Sequence, residues 1–419
     1  MTDKKIKILT LSDHPLSPSG VGTQTRYMVE GMLKTGRYQF VSFGGAMKHH
    51  DYNPQKTEQY GDDWLIFPVD GYGTQDQIRS ALRQVRPDIL WFMTDPRFYG
   101  WLWEIENEIR VNVPMVYYHV WDNYPYPTFN KKFYDSNDYI ACISKVTYDI
   151  VKKVSPDVKS LYLPHAADSN IFKKQTPEEI EAARKVHLKR PDSMLFFWNN
   201  RNARRKQSGT LIFWFKEFLD RIGHDKATLI MHTDPKDIHG QDLELILADL
   251  GMVNGEILLS REKLPPEGMA MMYNMADCTI NISDAEGFGL STLESLACET
   301  PIIVNMTGGL QEQVTDGENW FGLGLEPCSR AVIGSQDVPY IYEDRLEKET
   351  FISALEKFYN LSVTERAEMG RLGATYVNTN YNFNNYITQW DKFLTKIHTN
   401  NGSWETRKGY MPYNFKEIT

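Results

Sequence analysis

At 419 residues, with 41% hydrophobic and 24% charged side chains, the chain is too long for one ordinary core and too apolar for extended disorder, so two globular domains are expected. The formal net charge of −9 sits in the second half, and the near-neutral first half excludes the domain-wide basic footprint of a nucleic-acid or anionic-lipid binder. No apolar run is long enough to span a bilayer, no signal-peptide pattern opens the sequence, and Cys142, Cys278, Cys298 and Cys328 have no metal or redox spacing; a cytoplasmic protein with reduced, mostly buried thiols is expected.

Short apolar runs alternate with helix-like segments through the first 170 residues, at 6–12, 40–44, 64–69, 89–94, 115–120, 139–144 and 161–165. Several are apolar at consecutive positions, the pattern of parallel strands covered on both faces. Pro18-Ser-Gly20-Val-Gly22 follows the first run and opens a helix. Gly-x-Gly is weak evidence by itself. A dinucleotide fingerprint wants a third glycine near Thr25 and an acid ending the second strand, which instead ends Ser42-Phe-Gly-Gly. His119 stands at the carboxyl end of the 115–120 run, where parallel sheets bind ligands, with Asp122 just beyond. The 91–139 stretch is dense in aromatics. Most belong to the core, while Trp121, Tyr124 and Tyr126 lie on loops past strand ends and are candidates for stacking on a sugar or a flipped-out base.

After Asp168 the pattern breaks at Thr176-Pro-Glu-Glu, a helix start with its N-cap and first-turn proline. Alternation restarts at 194–198, 228–232, 256–260, 278–283 and 301–305, and beyond Thr350 the chain reads as helical and aromatic, ending in a polar tail. The organisation expected is 1–170 as an acceptor-side Rossmann-like domain and 171–385 as a donor-side domain of the same class. Residues 386–419 form a C-terminal helix returning to the first domain, with the tail. The carboxyl ends of both sheets then share one cleft, with hinges near 170–190 and 380–395.

The densest constellation is Ser283-Asp-Ala-Glu286-Gly-Phe-Gly289-Leu-Ser-Thr-Leu-Glu294, following the 278–283 run. Gly287 and Gly289 allow close backbone approach, and the helix opening at Leu290 aims free amides at a diphosphate. Glu286 and Glu294 are placed to accept hydrogen bonds from hydroxyls at the two ends of a nucleotide sugar. Beyond the 194–198 run lies Asn199-Asn-Arg201-Asn-Ala-Arg-Arg-Lys206-Gln. Cations fixed at a strand's carboxyl end stabilise the charge that develops on a leaving diphosphate.

The Glu-Gly-Phe-Gly-Leu…Glu block resembles the signature of the retaining glycosyltransferases of family four, which have the GT-B fold: two Rossmann-like, doubly wound α/β parallel-sheet domains facing across a cleft. Thr300-Pro-Ile-Ile-Val-Asn-Met-Thr-Gly-Gly-Leu-Gln-Glu resembles the family's next segment, with Thr300 in place of the usual glycine, and Arg201 with Lys206 keeps the spacing of its cation pair. The departures are Asn200, standing where a glycine is usual, Gln207 after the lysine, and the additional Arg204 and Arg205. The resemblance implies transfer of a sugar, with retention, from a UDP- or GDP-sugar, UDP favoured. It implies Arg201 and Lys206 on the diphosphate and His119 beside the donor sugar. The backbone of Gly287, Phe288, Gly289 and Leu290 would lie along the donor, Glu286 on its hydroxyls and Glu294 on its ribose. Gly20 and Gly22 would form the first domain's glycine loop. No Asp-x-Asp pair occurs, so no metal and no cofactor are expected. The acceptor classes left open are a saccharide, a small or lipid-linked molecule, or a hydroxymethylated DNA base. The rival from another class is a non-catalytic two-domain sugar binder.

Overall fold

The computed structural model describes residues 4–413. The first sheet comprises β1 (Ile6–Asp13), β2 (Tyr38–Gly45), β3 (Gln55–Lys56), β4 (Trp64–Pro68), β5 (Ile89–Thr94), β6 (Met115–His119), β7 (Tyr139–Cys142) and β8 (Lys159–Tyr162). Its order is β3-β4-β2-β1-β5-β6-β7-β8, parallel except where β3 meets β4. Every residue of β5 and β6 is buried, which is why these runs are apolar without alternation. The second sheet comprises β9 (Met194–Asn199), β10 (Ala227–His232), β11 (Ile257–Ser260), β12 (Cys278–Asn281), β13 (Ile302–Asn305) and β14 (Gly322–Leu325). It is parallel throughout, in the order β11-β10-β9-β12-β13-β14. Both are doubly wound α/β sheets.

Two chain crossings join the domains, and they run side by side. Ala167 donates its amide to the Tyr381 carbonyl at 3.3 Å, and Ala167 bridges Asn382. The helix Phe383–Asn401 then returns to the first domain. It buries Trp390 against Tyr118 and Trp91, with ring centroids 4.9 and 5.9 Å apart, and Asp391 accepts a 2.7 Å hydrogen bond from the Tyr38 hydroxyl. The tail stays on that domain: Ser403 donates to Asp88 at 2.7 Å and Arg407 pairs with Asp138 at 2.8 Å. Residues 414–419 of the polar tail lie outside the described residues.

The strands β3 and β14 have no counterpart among the apolar runs, and neither does a whole hairpin. An antiparallel hairpin, β15 (Ser329–Ile333) and β16 (Ile341–Arg345), leaves the second domain and lies over the first. The Tyr342 amide donates to the Tyr124 carbonyl at 2.6 Å, and Tyr340 packs edge-on to Phe129. Asp344 fastens its base. That buried carboxylate accepts from Asn123 at 2.7 Å, Thr307 at 2.8 Å and Arg330 at 2.5 Å, joining the first domain's 121–126 loop to the second domain. Three cysteines are buried and Cys328 is exposed. Among the described residues no helix is long and apolar enough to cross a membrane.

Candidate active site

Loops at the carboxyl ends of both sheets meet at the seam between the domains. On the first-domain side, Ser19 caps the helix Gly20–Lys34: its hydroxyl accepts from the Gly22 amide and donates to Asp13 at 2.6 Å. A side chain at Gly20 would come within 3.0 Å of Leu290 Cδ1, so the glycine loop faces the start of the second-domain helix Leu290–Ala297. Gly22 points back towards Ser17 and His14. That second-domain helix is entered through Gly289, whose φ of +91° belongs to the left-handed region that favours glycine. A Cβ there would stand 2.6 Å from Leu310 and 2.7 Å from the Thr292 hydroxyl. The loop carrying Glu286 therefore depends on its glycines. At Gly287 a Cβ would lie 2.9 Å from the Trp121 carbonyl and 3.1 Å from Asp122, and here the domains meet.

Lys206 ends a short 3-10 turn, Arg204–Lys206, after β9 and pairs directly with Glu286. Both side chains are nearly enclosed, 10% and 13% exposed. Burial, reinforced by neighbouring Arg205, pulls the Lys206 ammonium down. Burial alone would raise Glu286, but Lys206 and Arg205 outweigh it and hold the carboxyl below its usual range. Glu294 lies deeper: it accepts 2.8 Å from the Tyr273 hydroxyl, which accepts 2.9 Å from Asn199 at the end of β9. Burial pushes Glu294 up to about 7. The downstream Gly308-Gly309-Leu-Gln-Glu312 turn reaches the other domain, where Glu312 accepts the Lys145 amide at 2.9 and 3.1 Å and caps the helix Lys145–Val154. Burial drives Glu312 up to about 7 as well.

Three expected site residues sit elsewhere. His119 is fully buried in the first domain's core. Its Nε2 is 2.9 Å from the Tyr134 hydroxyl and its Nδ1 3.3 Å from that of Tyr117. Burial lowers the imidazole to about 3, so it stays neutral. The cause is β6, covered on both faces to its last residue; the chain clears the core only at Asp122. Arg201 is also displaced. Its guanidinium grips Asp237 with two bonds of 2.6 and 3.0 Å on an exposed loop, away from Glu286. The Phe288 side chain turns into the interdomain core against His165 and Tyr381, with centroids 4.9 and 5.9 Å apart; only its backbone remains near the loop tip.

Arg205, rather than Arg201, stands beside Glu286. It donates to the Ala285 carbonyl at 2.7 Å, stands 3.3 Å from Asp122 across the cleft and 3.8 Å from Glu286. Of the loop aromatics, Trp121 is buried, while Tyr124 and Tyr126 both donate to Asp149, at 2.9 and 3.0 Å.

Residues 260–333, which span the Glu286–Glu294 loop and the Gly308-Gly309 turn, match the family model described as Glycosyl transferases group 1. That segment, less than a fifth of the chain, is similar to the group 1 glycosyltransferases. Relatives agree over parts of their length. A D-inositol 3-phosphate glycosyltransferase of Paenarthrobacter aurescens is 26% identical over 218 residues, 51% of this chain and 46% of the relative. One from Acidothermus cellulolyticus is 40% identical over 77 residues, 18% of this chain and 17% of the relative. The chain thus spans less than half the length of these two relatives. Solved structures match the whole architecture around that segment. Sucrose-phosphate synthase from Thermosynechococcus elongatus superposes with a TM-score of 0.74 at 15% identity, covering 94% of this chain and 100% of that one. HepE from Anabaena, crystallised with UDP-glucose, gives 0.69 at 14% identity, covering 93% and 100%. The fold is GT-B.

Proposed function

We propose that the protein is a glycosyltransferase that moves a sugar from a nucleoside diphosphate sugar, UDP first among the nucleotides, to an acceptor hydroxyl with retention of configuration. The observation that carries the reading is the Lys206–Glu286 pair at the mouth of the Gly289 helix start, with Glu294 about one turn into the same helix. Backbone amides and a buried cation converge where a diphosphate would leave, and carboxylates stand on either side to accept sugar and ribose hydroxyls. In the reaction the bond from the anomeric carbon to the phosphate oxygen breaks and a bond to the acceptor oxygen forms. The acceptor's proton passes to the departing diphosphate. Lys206 and the amides at Leu290 stabilise that departing charge, while Glu286 orients the sugar. Retention rests on the family resemblance, and no metal has a role in this scheme. UDP is favoured because HepE was crystallised with UDP-glucose. A small polyol is the first acceptor to test, because the relatives are named for D-inositol 3-phosphate. Incubating the protein with UDP-glucose, UDP-N-acetylglucosamine and GDP-mannose, with and without inositol phosphate, tests the proposal. Slow release of a nucleoside diphosphate from one donor, accelerated by an acceptor, is expected; stability of all three donors would overturn it.

A further inference from the structure

Arg205 and Asp122 belong to different domains, and nothing in the resemblance assigns either a role on the donor. Arg205 is one-third exposed, with its guanidinium between the Asp122 carboxylate of the first domain at 3.3 Å and Glu286 of the second at 3.8 Å. A guanidinium carries five N–H donors; among the described residues, Arg205 Nη1 donates to Ala285 O at 2.7 Å, leaving donors for a ligand. Its backbone is fixed, since the Asp284 amide donates to the Arg205 carbonyl at 2.8 Å, so the head group can swing while its base stays in place. Asp95 and Glu343 add negative charge around the same guanidinium. Both cations, Arg205 and Lys206, are thus engaged by carboxylates, and an incoming diphosphate must compete for them.

We propose that Arg205 is a diphosphate-binding residue held in reserve by Asp122: donor binding moves its guanidinium from the Asp122 carboxylate to the phosphates, so that the first domain's Asp122 acts against the donor. Arg205 then supplies the second phosphate cation that Arg201, engaged with Asp237, does not. Asp122 acts only through Arg205 and is a positioning residue. This rests on the nucleotide-sugar reading above and adds to it a competitor whose removal strengthens binding. Loss of almost any other polar group in the cleft would weaken it.

Calorimetric titration with UDP, and with GDP and ADP in parallel, tests the exchange. Asp122→Asn should tighten UDP binding by about 2- to 5-fold, the range of a partly exposed ion pair. Arg205→Gln should weaken it about 10-fold, as expected for a charge-assisted contact to phosphate, and Arg205→Lys should recover part of the loss. In the double variant the gain from Asp122→Asn should vanish, a result that a purely structural role for Asp122 does not produce. Thermal melts identify any variant that fails to fold, in which case Arg205→Lys carries the test alone by its weaker UDP affinity. Unchanged or weaker UDP binding in folded Asp122→Asn, or unchanged binding in Arg205→Gln, overturns the proposal. A wild-type protein that binds none of the three nucleotides overturns the donor reading itself, and this proposal with it.

Discussion

Replacing Lys206 with alanine separates what the cation does for folding from what it does for chemistry. The side chain is 10% exposed and paired directly with Glu286, whose carboxylate would keep Arg205, 3.8 Å away, as its cationic neighbour. Leaving an enclosed carboxylate with one looser partner should cost on the order of 2–3 kcal/mol of stability. Adding Glu286→Gln removes the stranded charge and should restore most of that loss. Catalysis should respond differently. A donor aimed at the leaving diphosphate is worth about 10²-fold in turnover, roughly 2.7 kcal/mol of barrier. The Lys206→Ala, Glu286→Gln protein should therefore melt near wild type and remain catalytically impaired. Chemical denaturation gives the first quantity, and nucleoside diphosphate release at saturating donor gives the second. A folded Lys206→Ala protein that turns over donor within about 3-fold of wild type would refute the assignment of this cation to the diphosphate.

Other expectations follow from the same geometry. His119→Phe removes both hydrogen bonds of a buried ring and should lower stability by about 1–3 kcal/mol while leaving donor turnover per folded molecule within about 2-fold; a large loss of turnover in a folded variant would return His119 to the site. Glu294 is raised by burial from 4.5 to about 7, so the unliganded protein should lose stability as pH rises from about 4.5 towards 7. Ribose hydroxyls donating to Glu294 favour its ionised form, so UDP binding should release a proton and tighten by about 10-fold between pH 6 and 8. A flat pH profile in wild type, or the same slope in Glu294→Gln, would contradict this. EDTA should leave donor turnover intact, and loss on chelation restored by manganese or magnesium would reveal a metal requirement.

The strands were legible because burial on both faces writes itself as consecutive apolar residues. β5 was read at its full length, and β9 and β10 to within one residue. The Glu286–Glu294 loop was legible as a strand-to-helix turn because its glycines permit a backbone that other residues rarely adopt, as at Gly289 with φ +91°. His119 lies in the core because position along a strand does not say which residue is the last one covered: β6 is enclosed through His119, and the half-buried Asp122 comes three residues later. Arg201 stands apart from Glu286 for a related reason. Four cations lie within six residues, and which of them enters the cleft is decided by Asp237 and by the turn Arg204–Lys206, both tertiary features. The hairpin β15–β16 went unread although its alternating Tyr340-Ile-Tyr-Glu-Asp-Arg segment carries a strand signal, because nothing local indicates that it crosses to the other domain.

A crystal structure with UDP tests the central claim most directly. The diphosphate should lie between the Gly20 loop and the amides opening at Leu290, touched by Lys206, with the ribose on Glu294. A nucleotide bound outside the cleft, or within it but distant from Lys206 and Glu294, would contradict the account.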